Sequence, residues 1–241
     1  KPVVIYDDLP KDEPHGWKFI AFGPDGRLYV PVGQPCNTCE PPPTHGQIRS
    51  ITADGKDAKI VALGVRQTVG FDWHPATREL WFTDNGRDWL GENAPNDELN
   101  RVGGPQQHFG NPYCLGGDIL DPVLGKGKKC ADYTAPELKL GPHVAALGMR
   151  FYTGAMFPAE YRNRIFIALH GSWNRTEKTG FNVMQVALQP DGKHKYEVFA
   201  EGWREGEKFW GRPADVFVMP DGALLISDDV AGAIFRVTYS K

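Results

Sequence analysis

One phrase recurs along this chain: an alternating apolar run, a turn of the Pro-Asp-Gly kind, and a second apolar run that ends in small or acidic residues. Pro presets φ for the turn, Asp bonds its own backbone, and Gly accepts a positive φ, so each phrase predicts a β-hairpin. The phrase occurs three times, with a looser fourth copy made of two pieces, at 19–33, 69–84, 214–228, and 149–158 with 164–169.

Further strand-like runs follow most copies of the phrase, at 47–52, 59–63, 182–188, 196–199 and 233–239. Units of about four strands repeated along a chain are typical of a β-propeller. Helical periodicity is hard to find, which excludes α/β architectures with a helix between successive strands. The sequence therefore predicts an all-β fold, a single propeller domain over 1–241 with about four blades; a β-sandwich is the alternative. A lone apolar run, Val3–Tyr6, is predicted as an additional edge strand.

The repeats are interrupted by one long segment, 90–143, which is rich in Gly, Pro, Asn and Lys. Loops of this length inside a compact domain are uncommon and usually functional. We therefore expect an ordered loop excursion that covers one face of the domain.

Composition narrows the range of functions. The 27 Lys and Arg against 30 Asp and Glu give a net charge of −3, which argues against a basic nucleic-acid binder. No apolar run approaches the roughly 18 residues that a membrane span requires. The N-terminal residues lack the shape of a signal peptide, so the sequence is expected to be a mature, trimmed or truncated form.

Four cysteines occur, an even number that suits two disulfides in a loop-rich chain. The expected pairs are Cys36 with Cys39, which closes a small ring, and Cys114 with Cys130, which bridges the long segment. A zinc site is the competing interpretation, although compact zinc modules usually supply a second CxxC or a pair of histidines. Haem attachment would need His where Glu40 stands. Disulfides would place the protein in the periplasm or outside the cell.

Seven motifs together carry a family resemblance, at 15–26, 64–75, 81–90, 97–102, 108–113, 170–175 and 211–216. In that order they resemble the quinoprotein glucose/sorbosone dehydrogenases, and in particular the sorbosone-dehydrogenase-like branch. The resemblance implies a six-bladed propeller that uses pyrroloquinoline quinone (PQQ) and calcium. It covers about the C-terminal two thirds of the family domain, so the first two blades are expected to be missing. A second chain or a homo-oligomer would then cover the open propeller edges.

The resemblance also implies a set of site residues. It makes His15 the catalytic base and assigns the quinone pocket to Arg66, Gln67, Arg87, His170, Arg175 and Arg212. It assigns calcium to the carbonyl groups of Gly86 and Arg87, with Asp97 as an outer carboxylate, and the sugar to Gln34, Trp173 and His143. The chain departs from the family pattern at three of these places, with Gln67 in place of Asn, Ala214 in place of a second arginine, and Gln34 in place of an acid.

The implied activity is the oxidation of an aldose or sorbosone-like sugar by hydride transfer to the quinone, with an electron acceptor that the sequence does not name. Two alternatives come from other classes. One is a propeller scaffold or interaction fragment without catalysis. The other is a metal-dependent lactonase-type hydrolase, whose ion would be held by side chains such as Asp84, Asn85, Asp97, Asp228 and Asp229.

Overall fold

The structure, a computed structural model, describes residues 1–11, 14–17 and 19–240, so Lys18 of the first motif lies outside the described residues. In the described part the regular structure is β-strand apart from two short 3-10 helices, Cys130–Asp132 and Ala159–Tyr161, and no helix has the length and apolarity that crossing a bilayer requires. In chain order the strands are β1 (Ala21–Phe22), β2 (Leu28–Val32), β3 (Gln47–Ile51), β4 (Ala58–Leu63), β5 (Phe71–Trp73), β6 (Leu80–Asp84), β7 (Asn96–Arg101), β8 (Gln107–His108), β9 (Cys114–Leu115), β10 (Ile119–Leu120), β11 (Leu138–Pro142), β12 (Ala146–Phe151), β13 (Ile165–Leu169), β14 (Asn182–Ala187), β15 (Lys195–Ala200), β16 (Arg204–Glu205), β17 (Lys208–Phe209), β18 (Pro213–Val218), β19 (Leu224–Asp228) and β20 (Ala233–Val237).

The longer strands form four sheets, each built on one copy of the hairpin phrase. Sheet 1 has the order β1-β2-β3-β4-β8, sheet 2 β11-β7-β6-β5, sheet 3 β12-β13-β14-β15, and sheet 4 β18-β19-β20. Neighbouring strands are antiparallel, except that β8 runs parallel to β4. Two-stranded ribbons, β9 with β10 and β16 with β17, lie in the connections. The all-β prediction is confirmed, and the predicted hairpins form.

Consecutive sheets pack face to face through apolar cores. Ile48 of sheet 1 packs with Phe71 and Phe82 of sheet 2. The next core joins sheets 2 and 3, and a third core joins sheets 3 and 4, where Phe166 packs with Ile226. Burying a large apolar side chain contributes roughly 1.5–3 kcal/mol, so these cores hold the sheets in sequence order.

The first strands of sheets 2, 3 and 4, which are β5, β12 and β18, also approach one another closely. At one of these contacts the spacing leaves no room for a Cβ atom. Gly148 in β12 lies against Asp215 of β18, where a Cβ atom would collide with that carboxylate. Across the other face, the Asp72 carboxylate accepts a hydrogen bond from the Phe151 backbone N–H at 2.8 Å, which ties sheet 2 to sheet 3. The loops at the ends of these strands are thereby brought together.

The long segment is only partly an excursion. Both β7 and β11 lie within 90–143 and complete sheet 2, so the excursion is narrower than predicted and occupies the residues between them. The Cys114–Cys130 disulfide closes that part, and β8 pairs it to sheet 1. The predicted Cys36–Cys39 disulfide is also present, so both pairings are confirmed.

The predicted edge strand at Val3–Tyr6 is wrong, because no strand is assigned there. The segment is held beside sheet 1 by side-chain bonds instead of a backbone ladder. Arg49 Nη1 donates to the Tyr6 hydroxyl at 3.1 Å and to the Asp8 carbonyl at 2.8 Å.

Candidate cofactor site

A cavity of about 250 Å³ lies where the loops of sheets 2, 3 and 4 meet. Its walls come from the residues that precede β5, follow β6, flank β12, follow β13 and precede β18. Eight of the residues predicted from the sequence line it: Arg66, Gln67, Gly86, Asp97, His143, His170, Trp173 and Arg212. Positions up to almost 150 residues apart are therefore assembled around one space.

Arg66 is the most constrained cation of the cavity. Its side chain is buried, and Nη2 donates to Asn37 Oδ1 at 2.8 Å and lies 3.2 Å from Asp88 Oδ2. Its Nη1 donates to the Asn85 carbonyl oxygen at 3.3 Å. Burial lowers the pKa of Arg66, and the charge of Asp88 opposes that effect. An arginine stays protonated in proteins, so a positive charge is fixed at the wall.

The turn that carries Arg66 and Gln67 is held by a buried carboxylate. Asp84, the last residue of β6, accepts hydrogen bonds from the Arg66 N–H at 2.8 Å and the Gln67 N–H at 2.6 Å. Burial raises the pKa of Asp84 to about 7, although these two bonds favour the charged form. Gln67 is thereby held among the residues that line the cavity.

Asp97, in β7, holds two further backbone segments of the cavity wall. Its Oδ1 accepts from the Gly86 N–H at 2.8 Å and its Oδ2 from the Ala145 N–H at 2.7 Å. Burial raises its pKa to about 6. Since its two oxygens accept from different segments, Asp97 fixes the backbone at Gly86 and at Ala145.

Arg212 and His170 form the wall from sheets 3 and 4. Arg212 Nε donates to the His170 carbonyl at 2.8 Å, and Nη2 donates to the Gly171 carbonyl at 2.5 Å. His170 Nε2 lies 2.8 Å from Asp229 Oδ1. Burial lowers the pKa of Arg212 and also that of His170. The second guanidinium is therefore also held in one orientation, by two backbone carbonyls.

His15 lies beside Arg66 but does not line the cavity. Its Nδ1 donates to the Gln34 carbonyl at 2.5 Å, so in the neutral ring Nε2 keeps its lone pair. Burial, followed by the charge of Arg66, lowers the pKa of His15 from 6.5. The ring is therefore neutral at pH 7, and its partner is a backbone carbonyl in the place where the family pattern suggests a carboxylate.

Besides His15, three predicted side chains are not brought to the cavity. Gln34 is completely buried: its Nε2 donates to the Cys39 carbonyl at 2.7 Å and its Oε1 accepts from Asn111 at 2.5 Å, which contradicts a sugar contact. Arg87 is paired with Asp121 at 2.5 Å. Arg175 donates to the carbonyl oxygen of Glu92 at 2.5 Å. In each case a partner distant in sequence takes the side chain.

Two polar lining residues, Asp88 and Asn174, were not assigned from the sequence. Asp88 Oδ1 accepts a hydrogen bond from Asn174 Nδ2 at 2.8 Å, while its other oxygen pairs with Arg66. Asn174 Nδ2 also lies 3.3 Å from His143 Nδ1. Asp88 ends the motif 81–90, but only its contacts with Arg66 and Asn174 distinguish it from an ordinary turn aspartate.

Within the described ranges, no group of three or more His, Cys, Asp or Glu side chains is placed to hold a metal ion. Three of the carboxylates named for the lactonase alternative are committed to backbone N–H groups. Asp84 and Asp97 accept backbone N–H groups, and Asp228 accepts those of Val230 and Ala231 in sheet 4. Among the residues that the structure describes, the side-chain metal site that this alternative needs is not formed.

Residues 124–240 match the model of the TrAA12-like family. A curated relative from Borreliella burgdorferi, described as an uncharacterized protein, is 38% identical over 98% of this chain, and the chain spans 64% of its length. Among solved structures, the holo form of the pyranose dehydrogenase PQQ domain from Coprinopsis cinerea aligns with TM-score 0.73 at 20% identity, over 92% of this chain and 69% of that one. The calcium structure of the Trichoderma reesei family AA12 enzyme aligns with TM-score 0.73 at 19% identity, over 91% and 67%.

The predicted family resemblance is confirmed. The TrAA12-like match begins in the excursion and continues through sheets 3 and 4, so it includes His143, His170, Trp173 and Arg212 of the cavity. The fold likeness extends over nearly the whole chain, which places Arg66 and Gln67 on a scaffold of the same kind.

Proposed function

We propose that this TrAA12-like chain is the larger part of a PQQ- and calcium-dependent sugar dehydrogenase, with about four blades of a six-bladed propeller. The observation that carries the proposal is the assembly of Arg66, Gln67, His170 and Arg212 around one cavity, with a neutral His15 beside it. The neighbours in fold include the PQQ domain of one enzyme and a calcium structure of another. Two disulfides favour an oxidising compartment, either the periplasm or the exterior of the cell.

The donor set of the cavity fits a planar tricarboxylate. Arg66 and Arg212 supply two positive charges that hydrogen bonds hold at the wall, where they would attract carboxylates, and Gln67 adds an amide. Trp173 at the mouth offers an aromatic face for a quinone or a sugar ring. The segment at Gly86, held by Asp97, is the wall that would present carbonyl oxygens to calcium, which prefers such ligands.

When bound, PQQ supplies a quinone carbonyl that accepts hydride, and calcium supplies a Lewis acid that polarises it. The protein must take up the proton that leaves the sugar hydroxyl. His15 can do so at Nε2, because Nδ1 is committed to the Gln34 carbonyl and the ring is neutral. The buried surroundings and the nearby Arg66 both keep that nitrogen available at pH 7.

The test is a titration of the purified chain with PQQ in the presence of calcium, followed by quenching of tryptophan fluorescence, because Trp173 lies at the cavity. We expect saturable quenching that chelation of calcium reverses, and a loss of affinity of about tenfold or more in Arg66→Ala and in Arg212→Ala. Lys193→Ala, on an exposed turn of sheet 3, is the control. Quenching that is identical in the arginine variants would reject the cavity as the PQQ site.

A further inference from the structure

The four-residue ring closed by the Cys36–Cys39 disulfide lies against the cavity wall. Asn37, within the ring, reaches the wall with both ends of its side chain. Its Oδ1 accepts from Arg66 Nη2 and from the Asp88 backbone N–H, each at 2.8 Å. Its Nδ2 donates to the Asp88 carbonyl at 3.1 Å. The Asn37 amide therefore fixes both the Arg66 guanidinium and the backbone of Asp88, whose carboxylate is the counter-ion of Arg66.

The ring itself is seated on a buried polar group. Gln34 Nε2 donates to the Cys39 carbonyl at 2.7 Å and lies 3.2 Å from Cys36 Sγ. The Gln34 amide is in turn fixed by Asn111. The ring is thus held in place relative to β2, and Asn37 has little freedom to leave Arg66.

We propose that the Cys36–Cys39 ring is a positioning element that fixes Arg66 and Asp88 through Asn37, so that the cavity is already shaped for a ligand bearing carboxylate groups. Without Asn37 the guanidinium keeps Asp88 as its side-chain partner and the Asn85 carbonyl as a backbone acceptor, but the Arg66–Asp88 pair is free to change its orientation in the cavity. Preorganisation of this kind raises affinity because less side-chain freedom is lost on binding. The identity of the ligand as PQQ rests on the function proposed above, whereas the positioning of Arg66 does not.

The first measurement needs no ligand. In the 15N-labelled chain, the side-chain N–H signals of Arg66, assigned by their loss in Arg66→Lys, report whether the guanidinium is restrained and protected from exchange. We expect restrained signals in the wild type and their loss in Asn37→Ala and in the double variant Cys36→Ser/Cys39→Ser. Asn37→Asp keeps the Oδ1 acceptor and should retain them. Thr38→Ala is the matched control, because Thr38 lies in the same ring and its hydroxyl has no hydrogen-bond partner among the described residues.

The second measurement is the affinity for PQQ with calcium. Asn37→Ala and the open-ring variant should each weaken binding by about tenfold. Adding Asn37→Ala to the open-ring variant should weaken the affinity for PQQ by less than about twofold more, because both changes remove the contact of Asn37 with Arg66.

Restrained Arg66 signals in Asn37→Ala would overturn the proposal, as would independent, additive losses of affinity. If the open-ring variant fails to fold, the comparison of Asn37→Ala with Asn37→Asp decides the matter. Loss of the restrained signals in a chain whose wild type binds no PQQ would leave the positioning role established and would reject PQQ as the ligand.

Discussion

His15 shows how a single residue obtains its chemistry from its surroundings. A lone histidine before a hairpin is by default an exposed loop residue, yet here burial and Arg66 lower its pKa and the Gln34 carbonyl selects its tautomer. The motif around it predicted a position at the site, whereas the ring lies beside Arg66 and outside the cavity lining. The nature of its partner could not be predicted, because that carbonyl belongs to a residue nineteen positions away.

The pH dependence of sugar oxidation should reflect this histidine. Because the pKa of His15 is lowered, the ring remains neutral at a lower pH than a free histidine does. The acidic limb of the kcat/KM profile should therefore have its midpoint below pH 6.5. In an active form of the enzyme, His15→Ala should lower kcat by about 10²–10⁴-fold while the Kd for PQQ stays unchanged. An acidic limb above 6.5, or a His15→Ala variant with full kcat, would contradict the assignment.

Asp72 makes a second prediction at this scale. Burial raises its pKa above 3.8, so the folded chain binds a proton more tightly there than the unfolded chain does. Its contribution to stability is therefore fully present below about pH 3.8 and is lost as the pH rises through the folded pKa. In the wild type, the free energy of unfolding measured by urea denaturation should therefore fall as the pH rises above about 3.8. We expect this fall to be less steep in Asp72→Asn. A decline equally steep in the variant would show that another group causes it.

Gln34 marks the limit of residue-level prediction. Its position after β2 and its amide were compatible with a sugar contact. Its burial depends on Asn111, which lies 77 positions away and approaches only because the excursion crosses to sheet 1. No local pattern contains that information.

Among the elements, the hairpins were predictable and β7 was not. The hairpin phrases combine alternation with turn residues, and both signals are local. In contrast, β7 is buried although it reads Asn-Asp-Glu-Leu-Asn-Arg, a polar sequence. Its buried carboxylates are satisfied by hydrogen bonds, such as that from the Gly116 N–H to Glu98, and not by apolar packing. A strand of this kind has no hydrophobic signal.

The excursion should depend on its disulfide. Closing a loop of about 15 residues contributes roughly 3 kcal/mol in the chain-entropy treatment, so Cys114→Ser/Cys130→Ser should lower the free energy of unfolding by about that amount. The short Cys36–Cys39 ring should contribute less. Urea denaturation of the two double variants and the wild type measures both. A larger loss from opening the small ring would show that local contacts, and not loop closure, determine the effect.

At the scale of the whole molecule, the sequence predicted the order of the units and the meeting of Arg66, His170 and Arg212 at one cavity, whereas His15 and Arg87 lie outside its lining. That success came from the motifs, since loops that leave the inner strands of a propeller gather near its axis. How many blades the complete protein has stays a prediction, as does the closure of the ring.

The proposed absence of two blades makes a prediction about activity. A displacement of about 1 Å can cost a hundredfold in rate, and a cavity open on one side would hold PQQ loosely. We expect this chain alone to bind PQQ at least tenfold more weakly, and to oxidise sugars far more slowly, than a chain extended at its N-terminus by two blades. A second copy or another chain that covers the edges should restore part of the loss. Equal calcium-dependent activity of a monomer and the extended chain would show that the additional blades are dispensable.

Sheet 4 has one apolar face packed on sheet 3 and an outer face that exposes Phe217 (53%) and Ile234 (70%) to water. Any association through that outer face would be driven by the removal of these apolar side chains from water. Such association depends on salt type and temperature in a characteristic way. Contacts of this kind strengthen with sulfate salts and weaken on cooling, whereas ion pairs are screened by added salt. The oligomeric state of the purified chain in ammonium sulfate and at low temperature will therefore show whether copies associate through this face.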